Sequence, residues 1–281
     1  MAIWKHGEVS GDLLDGLFDR DSCPHCGLSL LQLPKVVFAY ESKPERSLNT
    51  LKACRGCGWW RLSRIVRNRF APRIKGIAGI YRSAAILRRF SECDLREPIT
   101  DVRAFLMARW GRRNNLDPLV VQDVVSSVFR DLGWTILAVG YRKDGGVDVV
   151  AERGGEQAAI QVKRSKNAIG VDQVREFIGA LVVAHQTRGI FVTTSTFTAD
   201  SQKAVLEASK EGRYVELVDS DAFLRDLGIA QVSTWDPDPI ALLRLVGSRC
   251  FYFGSTLEVR FPRAAHLIVL DRQPDDGREF S

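Results

Sequence analysis

Apolar positions along the chain change their period near residue 118. Before it, Leu13, Leu14, Leu17 and Phe18 fall at helical spacing, and residues 63–91 read as helix interrupted near Pro72, Gly76 and Gly79. A further helix follows Pro98, with Ile99, Val102, Phe105, Leu106 and Trp110 on one apolar face, and Gly111 to Asp117 form a polar break. Beyond Pro118, helical and strand-like runs alternate. Leu119–Leu132 is an amphipathic helix closed by Gly133. Gly146–Glu152 and Ala158–Arg164 are short apolar runs with strand character. Asp172–His185 reads as helix, Gly189–Thr194 as a buried strand, Ala199–Lys210 as helix and Tyr214–Val218 as strand. This alternation predicts a mixed α/β sheet, partly parallel and flanked by helices. After Gln231 come three strand-like pieces, Cys250–Phe253, Leu257–Phe261 and His266–Leu270.

These shifts divide the chain into an N-terminal segment (1–18), a cysteine module (19–62), a helical connector (63–116), an α/β domain (117–230) and a C-terminal extension (231–281). With 281 residues, 45% hydrophobic and 26% charged, the composition is globular and excludes a largely disordered chain. No apolar run approaches the ~18 residues that span a bilayer, so no membrane partner is expected. The first residues lead into acidic and polar positions rather than an apolar core, so no signal peptide is expected. Six cysteines without such a signal lead us to expect a reducing, cytoplasmic setting, where paired thiols bind metal more often than they form disulfides.

The net charge of +6 is unevenly spread. Arg46 to Ser91 hold 12 Lys or Arg and no Asp or Glu, leaving 28 basic against 34 acidic residues elsewhere. A positive segment on an acidic remainder points to a polyanion, most often nucleic acid.

Cys23-Pro24-His25-Cys26-Gly27 and Cys54-Arg55-Gly56-Cys57-Gly58 are two CxxC knuckles with 27 residues between them. Two intervening residues let both sulfurs of a knuckle reach one ion, and four thiolates bind zinc tetrahedrally. The doubled pattern resembles a zinc ribbon, a closed structural site formed by Cys23, Cys26, Cys54 and Cys57. His25 is then a bystander, and Cys93 and Cys250 are simplest as buried small hydrophobes. Arg55, Arg61, Arg64, Arg67 and Arg69 are candidate DNA contacts, and Trp59 and Trp60 serve equally well as base contacts or as the ribbon's own core.

The sharpest chemistry lies in Asp144-Gly145-Gly146-Val147-Asp148 and Ile160-Gln161-Val162-Lys163-Arg164. Strand period two puts Gln161 and Lys163 on one face, and a hairpin would bring Asp148 beside them. A carboxylate, an amide carbonyl and an ammonium at one point suit phosphodiester hydrolysis. Asp148 and Gln161 offer oxygens to Mg²⁺ or Mn²⁺, and Lys163 orients the water or stabilises phosphoryl charge.

Residues 117–228 resemble the Mrr-like branch of the PD-(D/E)xK restriction endonucleases. The resemblance runs through Leu132-Gly133-Trp134, Asp144 to Asp148, Gln161-Val162-Lys163-Arg164, Gly179-Ala180-Leu181, Val192-Thr193-Thr194-Ser195 with Phe197-Thr198, and Leu217-Val218-Asp219. It implies a restriction-endonuclease-like mixed sheet and metal-dependent DNA cleavage, with Asp148, Gln161 and Lys163 at the active-site positions. Glutamine in place of the acid of (D/E)xK agrees with that branch. One departure is that the glutamate usual on the first helix is matched here by Gln122, with Asp123 following, about 100° away on an ideal helix. Arg164, Lys166 and Arg175 are candidate phosphate contacts or solvated charges. Thr193, Thr194 and Ser195 fit phosphate contact or helix capping, and His185 is expected near the core. The expected activity is a Mg-dependent deoxyribonuclease in restriction or anti-phage defence. The alternative is a nucleic-acid-binding sensor or regulator with a degenerate nuclease domain. A double-strand break favours a homodimer, and without a Walker loop any nucleotide-driven translocation needs a defence-system partner.

Overall fold

The computed structural model describes residues 3–7, 16–33, 35–40, 45–68, 77–139, 146–235 and 265–270. Two compact units divide the chain, one made of residues 1–89 with 236–281 and the other of residues 90–235.

The first unit is an antiparallel sheet. Its strands are β1 (Trp4–Gly7), β2 (Leu30–Gln32), β3 (Lys35–Tyr40), β4 (Glu45–Cys54), β5 (Trp60–Asn68) and β6 (Ile77–Leu87), joined by β12 (Ala265–Leu270). They lie in the order β1-β6-β5-β4-β3-β12, with β2 also paired to β4. The long β4–β5 ladder sets Leu51 opposite Leu62 and Ala53 opposite Trp60. Trp4, Trp59, Trp60, Leu51 and Leu62 are almost fully buried and form this unit's core. The helix expected over residues 63–91 is therefore corrected to the β5–β6 hairpin, paired from Arg61↔Ala84 to Arg67↔Ile77. Arginines at 61, 64 and 67 mimic a helical face, but Ile65, Val66, Ile77 and Ile80 favour a pleated surface, and β4 offers a ten-residue edge to pair with. The C-terminal extension is not separate either, because β12 pairs antiparallel with β3. The pieces 250–253 and 257–261 lie outside the described residues.

The second unit begins at residue 90, earlier than the boundary expected at 117. It opens with α1 (Ile99–Ala108), a 3₁₀ segment (Trp110–Asn115) and α2 (Pro118–Asp131), which starts at an Asp117 carboxylate accepting from Leu119 N–H. Then follow β7 (Thr135–Val139), β8 (Val149–Arg153), β9 (Glu156–Lys163), α3 (Val171–Val183), β10 (Arg188–Thr193), α4 (Ala199–Lys210), β11 (Tyr214–Val218) and α5 (Ser220–Ser233). The pattern reading missed β7 and α5. β7 alternates weakly, with both Thr135 and Leu137 exposed, and α5 has a narrow apolar stripe of Phe223, Leu227 and Ala230.

Five strands stand in the order β11-β10-β9-β8-β7. β9 pairs antiparallel with β8 and parallel with β10, and β10 pairs parallel with β11. Both faces are covered, so the central strands read as near-continuous apolar runs. Helices α3 and α4 pack together, and α1, α2 and α5 form a second group. The α3 side is centred on Ala159, Ile169, Val174, Phe177, Leu181 and Phe191, with Phe177 and Phe191 edge-to-face at 5.4 Å. No described helix is long and apolar enough to cross a membrane.

Phe177 has no exposed surface. Phe177→Ala is expected to destabilise this unit by about 3–5 kcal/mol through lost burial and a residual cavity, read as a lower urea midpoint at unchanged slope.

Candidate functional site

The chain enters β8 through Gly146, whose φ of +64° suits glycine. A Cβ built there would lie 3.2 Å from Ala180 Cβ of α3, and Val147 packs on the α3 core cluster. Asp148 follows at the point where the β8–β9 ladder ends. Its N–H donates to the carbonyl of Ile160 at 2.9 Å, and its carboxylate accepts from Val162 N–H at 2.7 Å. From the α2 side, the buried Gln122 donates its amide to the carbonyl of Asp148 at 3.0 Å. Burial raises the Asp148 carboxyl above its ordinary value, while the Val162 N–H and the nearby Lys163 charge pull in the other direction.

Gln161 and Lys163 both lie in β9, two residues apart on one pleat face. The side-chain oxygen of Gln161 is buried and accepts no hydrogen bond from the described residues. The second oxygen of Asp148 accepts none from the described residues. A carboxylate oxygen and an unsatisfied amide oxygen at one end of one strand are the hard donors that a divalent cation such as Mg²⁺ takes, its remaining positions going to water. The predicted constellation of Asp148, Gln161, Lys163 and Gln122 is thus brought together. Gln122 meets Asp148 through its amide N–H, and Asp123 is exposed one step round the helix. Asp144 and Gly145 lie outside the described residues.

Polar groups behind Lys163 are organised more tightly than the sequence suggests. Thr193, Thr194 and Ser195 are buried. Thr193 Oγ1 and Thr194 N–H both donate to the carbonyl of Lys163, at 2.9 and 3.2 Å. Thr194 Oγ1 accepts from Ser165 N–H at 2.9 Å and donates to Asn114 Oδ1 at 2.7 Å. Arg113 Nε donates to the carbonyl of Thr194 at 2.8 Å, and Arg164 donates to that of Asn114 at 2.5 Å. These threonines therefore hold main chain instead of meeting phosphate, and Thr198 caps α4. Arg113 and Asn114 fall in the polar break between two helices, where nothing local points to strands about eighty positions away.

In the first unit the four cysteine sulfurs lie within 4.8 Å of one another. Cys23–Cys57 and Cys26–Cys54 stand at 3.5 and 3.3 Å, close to the ~3.8 Å edge of a tetrahedron with metal–sulfur bonds of ~2.3 Å. The knuckles are superposable turns, since Gly27 and Gly58 both have φ +75° and return N–H bonds to Cys23 and Cys54. The second knuckle is the turn of the β4–β5 hairpin. His25 packs its ring at 4.8 Å from Trp4 and 6.0 Å from Trp59, outside the sulfur cluster, while its main-chain N–H donates to Cys23 Sγ at 3.5 Å. The arrangement fits a closed four-thiolate metal site.

Several expected surface roles are corrected. Arg61 and Arg64 are buried, at 4% and 3% exposure, and cannot face a duplex. Arg61 donates to the carbonyl of Leu17, covers the Phe18 ring at 5.1 Å and lies 3.8 Å from Asp21, while Arg64 donates to Asn49 at 2.6 Å. A basic side chain can be packed inward where hydrogen-bonding partners offset part of its desolvation penalty. Trp59 and Trp60 are core residues. Arg55, Arg164, Lys166 and Arg175 are exposed, and the side chains of Arg67 and Arg69 lie outside the described residues. Cys93 is exposed instead of buried, with its thiol 3.6 Å from the carbonyl of Asn115. His185 is also exposed, at φ +53° just past the end of α3. Cys250 lies outside the described residues.

The mixed sheet carries a carboxylate, an amide and a lysine at the open end of its central hairpin. Residues 113–227 match the restriction endonuclease family in its Mrr catalytic form, about two fifths of the chain. Similarity to the type IV methyl-directed restriction enzyme EcoKMrr of Escherichia coli (strain K12) is 34% identity over 95 residues. That match covers 31% of this chain and 31% of the relative, so the chain accounts for less than a third of that relative's length. Among solved structures, the MspJI restriction endonuclease with a 27-mer oligonucleotide aligns at TM-score 0.32 and 17% identity, over 65% of this chain and 43% of that one. EndoMS with double-stranded DNA aligns at TM-score 0.26 and 12% identity, over 68% and 86%. The domain assignment rests on the sequence match.

A buried carboxyl whose pKa is raised costs the folded state stability while it is ionised, and that cost disappears as pH falls below its folded value. Asp148→Asn is therefore expected to raise the melting temperature at pH 7. The gap to wild type should narrow toward pH 4. Thermal melts across that range check the sign.

Proposed function

We propose that the protein is a metal-dependent endonuclease that hydrolyses DNA phosphodiester bonds in restriction or anti-phage defence, with a zinc site in its N-terminal unit. The observation that supports this most is the meeting of Asp148, Gln161 and Lys163 at one end of β9, inside the segment that matches restriction endonucleases. Asp148 and Gln161 would hold Mg²⁺ or Mn²⁺ through the carboxylate and the unsatisfied amide oxygen. When bound, the ion supplies Lewis-acid polarisation of the phosphate and a more acidic water. Lys163 presents its ammonium to the scissile phosphate, where it stabilises the developing charge and orients the attacking water. Gln122 keeps the main chain of Asp148 in place through its amide donor. Exposed Arg164 and Lys166, just beyond Lys163, suit the flanking phosphates.

A second reading, a DNA-binding regulator with a silent nuclease domain, is favoured by a single feature. Gln122 stands where the resemblance places an acid, so Asp148 is the one carboxylate of the constellation among the described residues. Plasmid cleavage in Mg²⁺ or Mn²⁺, with methylated and unmethylated DNA, separates the two. The nuclease reading expects cutting by wild type and a loss of about 10³-fold or more in Asp148→Ala and Lys163→Ala. A wild-type protein that binds DNA without cutting under any of these conditions supports the regulator.

The cysteine cluster carries its own expectation. The purified chain should contain one zinc, and Cys26→Ser should lose that zinc and the unit's thermal transition, because metal-binding energy of this kind is folding energy. Metal analysis beside a thermal melt reads both.

A further inference from the structure

We infer that Thr194 and Asn114 form a positioning clamp for Lys163, tying the end of β9 to the 3₁₀ segment Trp110–Asn115. The inference rests on the proposed nuclease reading and assigns residues that the reading does not use. β9 ends at Lys163, and beyond that residue the chain no longer has a strand on which to pair. Side chains take over. The carbonyl of Lys163 accepts from Thr193 Oγ1 and Thr194 N–H, and Ser165 N–H is held by Thr194 Oγ1. Thr194 in turn donates to Asn114, and Arg113 donates to the carbonyl of Thr194.

Thr194 thus uses its hydroxyl as both acceptor and donor, and it is 3% exposed, so no water competes for either bond. The carbonyl of Lys163 and the N–H two residues on are held, which fixes the main chain at the root of the lysine side chain that the nuclease reading sends to the phosphate. A long, flexible lysine is effective in catalysis only when its root is held, because a displacement of about 1 Å costs about 10²-fold in rate. Neither Thr194 nor Asn114 touches the substrate in this arrangement. Both act through Lys163.

The test uses the full chain in steady-state cleavage of a defined duplex, with amide exchange at Ser165 followed by NMR. Thr194→Val keeps volume and removes the hydroxyl's bonds to Ser165 N–H, Asn114 Oδ1 and the Ser165 carbonyl at 3.2 Å, Thr194→Ser keeps the hydroxyl, and Asn114→Ala removes the nearer acceptor. The clamp expects Thr194→Val to lower kcat about 10- to 100-fold with KM within about 2-fold, and Asn114→Ala to follow in the same direction. Ser165 N–H should exchange faster in Thr194→Val, and Thr194→Ser should restore both readouts to near wild type. The inference is overturned by wild-type kcat in Thr194→Val, by unchanged Ser165 exchange, or by equal damage in Thr194→Ser, which would mark a packing role alone. A wild-type protein that cuts nothing removes the nuclease reading and this inference together. Normal wild-type cleavage with an unaffected Thr194→Val removes only the inference.

Discussion

The end of β9 is where this domain runs out of backbone partners, and its chemistry follows from how that shortage is met. A central strand paired antiparallel on one side and parallel on the other has two ladders that stop at different residues. Buried N–H and C=O groups cannot be left open without a cost of about 1–3 kcal/mol each. Side chains fill the gap: the Asp148 carboxylate accepts Val162 N–H, Thr193 donates to Lys163, and Thr194 serves Ser165. The carboxylate that closes the antiparallel ladder is the one proposed to hold the metal. Satisfying the backbone and building the site are one arrangement.

That arrangement stores a conflict in Asp148. Its position between the α2 and α3 sides of the sheet removes water and raises its carboxyl, and only one N–H and the charge of Lys163 offset the loss. A cation bound at that carboxylate would relieve the penalty. Gln161 carries the same signature in neutral form, as a buried acceptor with no donor among the described residues.

The N-terminal unit solves a different problem. Its sheet encloses three tryptophans beside four thiols, and its arginines at 61 and 64 are used inside the structure. Arg61 is pushed below its usual value by burial, with Asp21 acting against that shift. Positive charge along the sequence was thus a poor guide to positive surface. A run of basic residues without acids suggests a polyanion face only if the side chains point outward, and in a strand every second one does not.

Local rules were enough for much of the nuclease unit. Residues 199–210 and 214–218 adopt the expected helix and strand, and α2, β8, β9, α3 and β10 lie within a few residues of their expected bounds, because period, caps and β-branched runs act over a few residues. Both CxxC turns and the same-face pair Gln161 and Lys163 were legible for the same reason. Strand pairing was not. The 63–91 region became a hairpin because β4 was there to receive it, and β12 joined β3 from more than two hundred positions away. Likewise the contacts of Gln122 with Asp148, and of Asn114 and Arg113 with Thr194, depend on which helix lands on which strand end. Sequence alone determined which groups are available and which lie one turn or one pleat apart. Tertiary structure decided which of them lose water, because burial is a property of the surroundings and not of the residue.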